Sequence, residues 1–227
     1  GTDCGRWGGY GGTSPDMAVD QRREDGQGLC YETLPLELDL VLLGAPVLEL
    51  EVAVDQPRVN LIARLTDVFP DGASALMTTG VLNLCHRNSH EHPEPCPVAE
   101  PFRVRLVLND LGRRVPKGHR IRVGLATQHW PILWPQPLLA TLTLASGSST
   151  LSLPVRPPGP RDHEVRFEPP ETAPPVPTTV LVSASDSRIH EDDVGSGVRR
   201  ITLHSDHGRT RIDDRGIETA SSATDRF

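Results

Sequence analysis

Residues 59–84 alternate apolar and polar positions with a period of two, interrupted once. Leu61, Ala63 and Leu65 share one face, while Asn60, Arg64 and Thr66 are interspersed among Ile62 and Val68. Successive side chains leave a strand on opposite faces, so the pattern predicts strand. Pro70-Asp71-Gly72 supplies the turn: proline presets φ, aspartate tolerates the bridging conformation and glycine accepts φ > 0. From Ser74 the alternation resumes through Leu76, Thr78, Gly80, Leu82 and Leu84. The predicted unit is a long β-hairpin. A hairpin cannot bury its apolar face alone, so flanking strands must complete the core.

Those strands are predicted over Leu29–Glu32, residues 38–43 and Val47–Val54 before the hairpin, and over residues 102–108 and 119–126 after it. In Val47–Val54 the apolar positions alternate around Glu49 and Glu51, as in a half-buried antiparallel strand. Val115-Pro116-Lys117-Gly118 reads as a tight turn, and residues 137–152 as a closing hairpin across Gly147. No helical periodicity is long enough to predict a helix. One core of buried Leu50, Val52, Leu61, Leu65, Leu106, Ile121 and Val123 is expected.

The last third differs. Eight of the 22 residues in 156–177 are proline, which favours an extended crossing segment over a central strand. Strands are predicted at residues 180–183 and 198–204, with Ser205-Asp206-His207-Gly208 as a turn into residues 209–212. The acidic run His190-Glu191-Asp192-Asp193 reads as a solvated loop, short of the oxygen cage calcium needs. The end at Phe227 reads as a truncation that leaves an open strand edge in Val198–Ile212.

Composition supports an all-β class. The 227 residues include 22 Pro and 20 Gly, a turn-rich usage. Net charge is −7 without a basic stripe, which argues against nucleic acid as a partner. No apolar run approaches the ~18 residues of a membrane span, so no membrane partner is expected. The opening Gly1-Thr2-Asp3 carries no signal peptide and reads as the middle of a larger protein. The address is left open, with the cytoplasm the default expectation.

Candidate chemistry is sparse. Cys4, Cys30, Cys85 and Cys96 form no recognisable framework and read as free thiols, with a Cys85–Cys96 bridge as the exception. Cys85, His86, His90, His92 and Cys96 invite a zinc reading, but their spacing fits no usual ligand pattern, so no metal and no cofactor is expected. The glycine-rich segment before residue 28 reads as a surface linker with Trp7 and Tyr10 as anchors, and it lacks a phosphate-loop motif. Within it, the charged run from Asp20 to Asp25 reads either as solvated or as pairing across a domain boundary. No G-x-S-x-G elbow occurs. A triad drawn from His119, Asp110 and Ser89 is a minor alternative, because triads are defined by geometry.

Six short motifs fall in order: Asp20-Gln21-Arg22, Leu65-Thr66-Asp67-Val68, Asp71-Gly72, Gly80-Val81-Leu82, His86-Arg87-Asn88-Ser89-His90 and Gly118-His119-Arg120-Ile121-Arg122. Together they resemble the C-terminal domain of CocE/NonD hydrolases, a group similar to X-Pro dipeptidyl-peptidases, cocaine esterase and α-amino-acid ester hydrolases. The resemblance implies a galactose-binding-like jelly-roll β-sandwich, here with a Pro-rich extension and extra C-terminal strands. It also implies an upstream α/β-hydrolase domain that holds the serine triad. The expected division is a linker at 1–28, the sandwich at 29–155, a Pro-rich crossing segment at 156–178 and additional strands at 179–227.

Two functions follow as expectations. The first is a non-catalytic domain that packs on the hydrolase domain of the same polypeptide and helps wall its substrate pocket. The alternative is a module binding carbohydrate or another small ligand, although four Phe, two Tyr and three Trp offer few stacking platforms. Homo-oligomerisation is left open. The interface candidates are His129, Trp130 and Trp134, where two prolines and two tryptophans break the alternation after a strand, together with Trp7 and Tyr10.

Overall fold

The computed structural model describes residues 20–130 and 132–226. The chain divides into two units, Gly1–Glu164 and Val165–Phe227. In chain order the first unit holds a short helix α1 (Arg22–Asp25), then β1 (Leu29–Glu32), β2 (Leu40–Gly44), β3 (Val47–Val54), β4 (Asn60–Val68), β5 (Ser74–Asn83), β6 (Phe102–Val107), β7 (Leu111–Val115), β8 (Arg120–Ala126), β9 (Leu142–Leu144) and β10 (Thr150–Ser152).

The predicted hairpin is β4–β5, in register from Asn60↔Asn83 to Val68↔Ser74 with one bulge after Leu65. Its turn is closed by Gly72 N–H donating to Phe69 O at 2.9 Å, with Gly72 at φ +90°. A side chain at that φ would be strained, which is why glycine stands there. The hairpin belongs to a sheet ordered β1-β8-β4-β5. The facing layer is built from β3 and β6, with β9 and β10 on the other side of β3, and from the pair β2–β7. All pairs in these sheets are antiparallel, and the architecture is an all-β sandwich. Leu61, Ala63, Leu65, Ile121 and Val123 from one layer meet Leu48, Leu50, Val52, Val104 and Leu106 from the other in one buried cluster.

The first unit departs from expectation at three places. β7 was not foreseen, because Gly112-Arg113-Arg114 shows no apolar alternation and only its ends, Leu111 and Val115, are buried. Residues 137–152 are not a hairpin. β9 pairs with Val52–Val54 of β3 and β10 with residues 47–49 of the same strand, so the two form one interrupted strand along β3. The interruption is a 3-10 turn at Ser146–Ser148. The segment from Asp20 to Asp25 is neither linker nor solvated loop, since α1 lies there with Gln21, Glu24 and Asp25 buried.

The second unit holds β11 (Thr178–Val182), β12 (Ser185–Asp193), β13 (Val198–Ile212) and β14 (Ile217–Arg226). β13 is central. One edge pairs with β12 and then β11, and the other pairs with β14 along Thr202–Ile212. The predicted turn at residues 205–208 is a bulge within this single strand. Gly208 sits in it at φ +69°, and a Cβ there would lie 2.2 Å from Val182 O. The acidic run is not a loop either. Asp192 and Glu191 lie in β12 and pair across the ladder with Arg199 at 2.6 Å and Arg200 at 3.3 Å. Such exposed pairs contribute little each, and both sit directly opposite in the β12–β13 ladder.

The sandwich core makes a direct prediction. Leu65 is fully buried between the layers, so Leu65→Ala should lower unfolding stability by about 2–5 kcal/mol in chemical denaturation. A change below about half a kilocalorie would place Leu65 outside the core.

Candidate functional site

β4 alternates, yet both of its faces are buried. Leu61, Ala63 and Leu65 face the sandwich core, while Ile62, Arg64 and Thr66 on the opposite face are also at most 2% exposed. An arginine buried on a sheet face needs carboxylates and amides around it. α1 supplies them. Asp25 Oδ1 lies 3.0 Å from Arg64 Nη2, and Arg64 Nη1 donates to Gln21 Oε1 at 2.8 Å. Asp25 Oδ2 accepts from Arg122 Nη1 and from Ser74 Oγ, each at 2.8 Å. Arg122 also reaches Glu32 Oε2 at 2.8 Å, which ties in the edge strand β1. Gly124 stands opposite Arg64 in the ladder, where a Cβ would lie 3.0 Å from Nη2. The guanidinium occupies the space that any larger residue would fill.

The backbone adds to this clamp. Gln21 N–H donates to Ser74 O at 2.8 Å, and Asp20 Oδ1 accepts from Ser74 N–H at 3.2 Å. Asp20 also pairs with Arg22, which holds its carboxyl below the usual carboxylate range. The chain entering the domain is therefore fixed to the hairpin before the first strand begins.

Beside α1 lies the segment after β8. Thr127 Oγ donates to Ala140 O at 3.3 Å, Gln136 Nε2 donates to Thr127 O at 3.0 Å, and Leu133 N–H donates to His129 O at 2.7 Å. His129 is 2% exposed and, among the described residues, neither ring nitrogen finds a hydrogen-bond partner. Burial, helped by the nearby Arg64 charge and opposed by Glu24, lowers its pKa to about 4. Trp130 is half-buried and Trp134 is 69% exposed, with ring centroids 5.4 Å apart edge to face. Ile132, Leu138 and Leu139 are exposed in the same loop. Trp7 and Tyr10 lie outside the described residues. A recess of about 420 Å³ opens nearby, lined by Gln27, Leu29, Thr127, Gln128, Thr141 and Leu142 among others.

The other candidates are placed as follows. His86 and His90 stack at 5.7 Å, His92 is exposed beside Glu91, Cys85 is half-buried and Cys96 is buried. Among the described residues no group of three or more His, Cys, Asp or Glu is arranged to hold a metal ion. His119 pairs with Asp67 rather than Asp110: Nδ1 is 2.7 Å from Oδ1 of that fully buried carboxylate, whose other oxygen accepts from Arg113 at 2.8 Å. The His119 ring packs against Phe69, and no described hydroxyl or thiol bonds to it. Ser89 Oγ accepts instead from Glu91 N–H and His92 N–H. The arrangement ties β4 to β7 and β8 at one end of the sandwich and lacks a nucleophile.

Two outcomes follow from this face. Asp25→Ala leaves the Arg64 and Arg122 guanidinium groups without their shared carboxylate, so denaturation should show a loss of about 3–5 kcal/mol. For His129 the folded pKa lies below the unfolded 6.5. Between pH 6.5 and about 4 the unfolded chain binds a proton that the folded chain refuses. Stability should therefore fall as pH drops through that window, by at most about 3 kcal/mol from this group. His129→Leu should flatten that part of the pH profile, and an unchanged slope would contradict the assignment.

The chain is 26% identical over 103 residues to the cocaine esterase of Rhodococcus sp. (strain MB1 Bresler), covering 45% of this chain and 18% of that protein. It is 28% identical over 134 residues to a putative serine esterase of Mycobacterium bovis, covering 50% of this chain and 21% of that protein. The chain thus spans about a fifth of the length of these relatives. Among solved structures, an α-amino acid ester hydrolase superposes with a TM-score of 0.55 at 25% identity, over 60% of this chain and 27% of the other. An aminopeptidase from a marine sediment Thaumarchaeota archaeon shares the fold, with a TM-score of 0.50 at 22% identity over 54% of this chain and 22% of the other. The family model that matches, over residues 3–173, is described as the X-Pro dipeptidyl-peptidase C-terminal non-catalytic domain, and the chain belongs to that family.

Proposed function

We propose that this chain is the accessory C-terminal domain of a serine acyl hydrolase or X-Pro dipeptidyl-peptidase-like enzyme. It packs on an N-terminal α/β-hydrolase domain of the same polypeptide and helps wall its substrate pocket. The observation that carries the reading is the exposed apolar loop that holds Trp134, Leu138 and Leu139, the last 81% exposed. Apolar side chains grouped this way on a polar domain mark an interaction surface. Edge-to-face indoles can bury area while their N–H groups reach the rim, which suits them as anchors. The loop is held by His129 and Gln136 beside α1, so the surface and the entering chain share one side of the sheet. Family membership and the short span of the relatives matched support the same reading.

The recess beside the loop favours a second reading, a small polar ligand held by amides and hydroxyls. No aromatic ring lines it among the described residues, so a sugar would lack a stacking platform. Packing on a hydrolase domain remains the preferred function.

The test uses acrylamide quenching of tryptophan fluorescence in a Trp7→Phe background, with and without the separately produced hydrolase domain. The quenching constant should fall about twofold on addition, as expected when exposed indoles are buried at an interface core. Equal quenching in both samples would remove the loop from the interface.

A further inference from the structure

The loop between β5 and β6 brings two cysteines to one backbone carbonyl. Cys85 lies in the 3-10 turn Leu84–His86, whose entry is capped by Asn83 Oδ1 accepting from Cys85 N–H at 3.0 Å. Its thiol donates to Pro57 O at 3.5 Å. Cys96 arrives from the far end of the loop, and its N–H donates to the same Pro57 O at 2.9 Å. The nearby Cys85 thiol adds to burial in raising the Cys96 pKa. The ends of the loop are already joined without a covalent link. Glu94 N–H donates to Cys85 O at 2.8 Å, while Arg87 Nη1 donates to Leu84 O at 3.1 Å and to Glu94 O at 2.9 Å. The guanidinium also lies over the Phe102 ring, which keeps it in place.

We infer that Cys85 and Cys96 form a dithiol site that low-molecular-weight disulfides oxidise to an intramolecular bond. Cys85 is half-buried and Cys96 is 4% exposed, which assigns their roles. Cys85 loses its proton and attacks one sulfur of glutathione disulfide, expelling a glutathione thiolate that takes up a proton. Cys96 then gives up its proton and attacks the Cys85 sulfur, breaking the mixed disulfide and releasing the second glutathione as a thiol. Two protein thiols are oxidised and one disulfide is reduced to two thiols, so atoms and electrons balance. Burial raises the Cys96 pKa, consistent with a resolving rather than an attacking thiol. Cys30 differs: its thiol donates to Asp25 O at 3.3 Å, and burial followed by the Asp25 charge raises its pKa. It is expected to react slowly with the same oxidant. Oxidation would lock the loop that carries the stacked His86 and His90 rings.

Incubating the full chain with oxidised glutathione at neutral pH, followed by non-reducing tryptic mapping, tests the inference. Cleavage after Arg64, Arg87 and Arg103 puts the two cysteines on separate peptides. The expected product is a species lighter by two hydrogens in which those peptides are linked, and dithiothreitol should reverse it. Cys96→Ser should stop at a glutathione adduct on Cys85. Stable adducts on Cys85 in the wild-type chain, or a bond from either cysteine to Cys4 or Cys30, would overturn the assignment. The wild-type map decides by itself if Cys96→Ser does not accumulate as folded protein.

Discussion

The ion cluster on the outer face of β4 is the constraint on which the rest of the first unit depends. Arg64 is buried in the middle of a sheet, where an unpaired guanidinium would be prohibitively costly. The carboxylate that balances it comes from Asp25, before the first strand, and the same carboxylate binds Arg122 two positions before Gly124 in β8. A single acidic group therefore couples the entering chain, the hairpin and the neighbouring strand. The cost of burying these charges means that they add less stability than apolar packing would. Their effect is on geometry, because only one placement of α1 satisfies both arginines, Gln21 and Ser74 at once.

Much of the fold was legible from periodicity. Leu61, Leu65, Leu50, Val52, Leu106, Ile121 and Val123 were assigned to one core by alternation alone, and all are buried. Alternation reports one wet face and one dry face, so it fails where both faces share one environment. β12 and β14 are exposed on both sides and left no signal. α1 spans four residues, too few to show a helical period. In the candidate site, Trp130 and Trp134 stood out because prolines and indoles break a strand pattern. Arg64 carried a weak signal as a charge inside an otherwise apolar alternation. Its pairing with Asp25, a carboxylate shared with Arg122, did not, since residues 39 and 58 positions away are brought together by the fold.

The short motifs that carried the family resemblance have separate physical tasks. Gln21 and Asp20 fasten the entry segment to β4 and β5. Asp67 and His119 close one end of the sandwich, with Arg113 from the facing layer on the second carboxylate oxygen. Gly72 and Gly118 accept φ of +90° and +85° in turns, and Gly80 leaves room for the Leu108 backbone, whose Cα would stand 3.1 Å from a Cβ. These are positions where backbone conformation or a buried charge restricts the choice of residue. They form a structural signature, which explains how short motifs can identify the domain.

The way β9 and β10 share β3 bears on how the chain acquires its structure during synthesis. β1 waits for β8, Leu29 opposite Leu125, and β3 waits for Thr150 opposite Glu49. β2 waits for β7, Leu40 opposite Val115, and is bridged again only when Val155 arrives opposite Leu42. Contacts this distant in sequence close slowly, because loop entropy is lost before packing compensates it. A nascent chain holding only the first half of the sandwich exposes the apolar face of its hairpin with nothing to cover it. The second unit has the opposite character, since β12, β13 and β14 are joined by short turns and pair with their neighbours in order. On the ribosome, the first unit is thus the late-closing and aggregation-exposed part, and the C-terminal meander zips locally as it emerges.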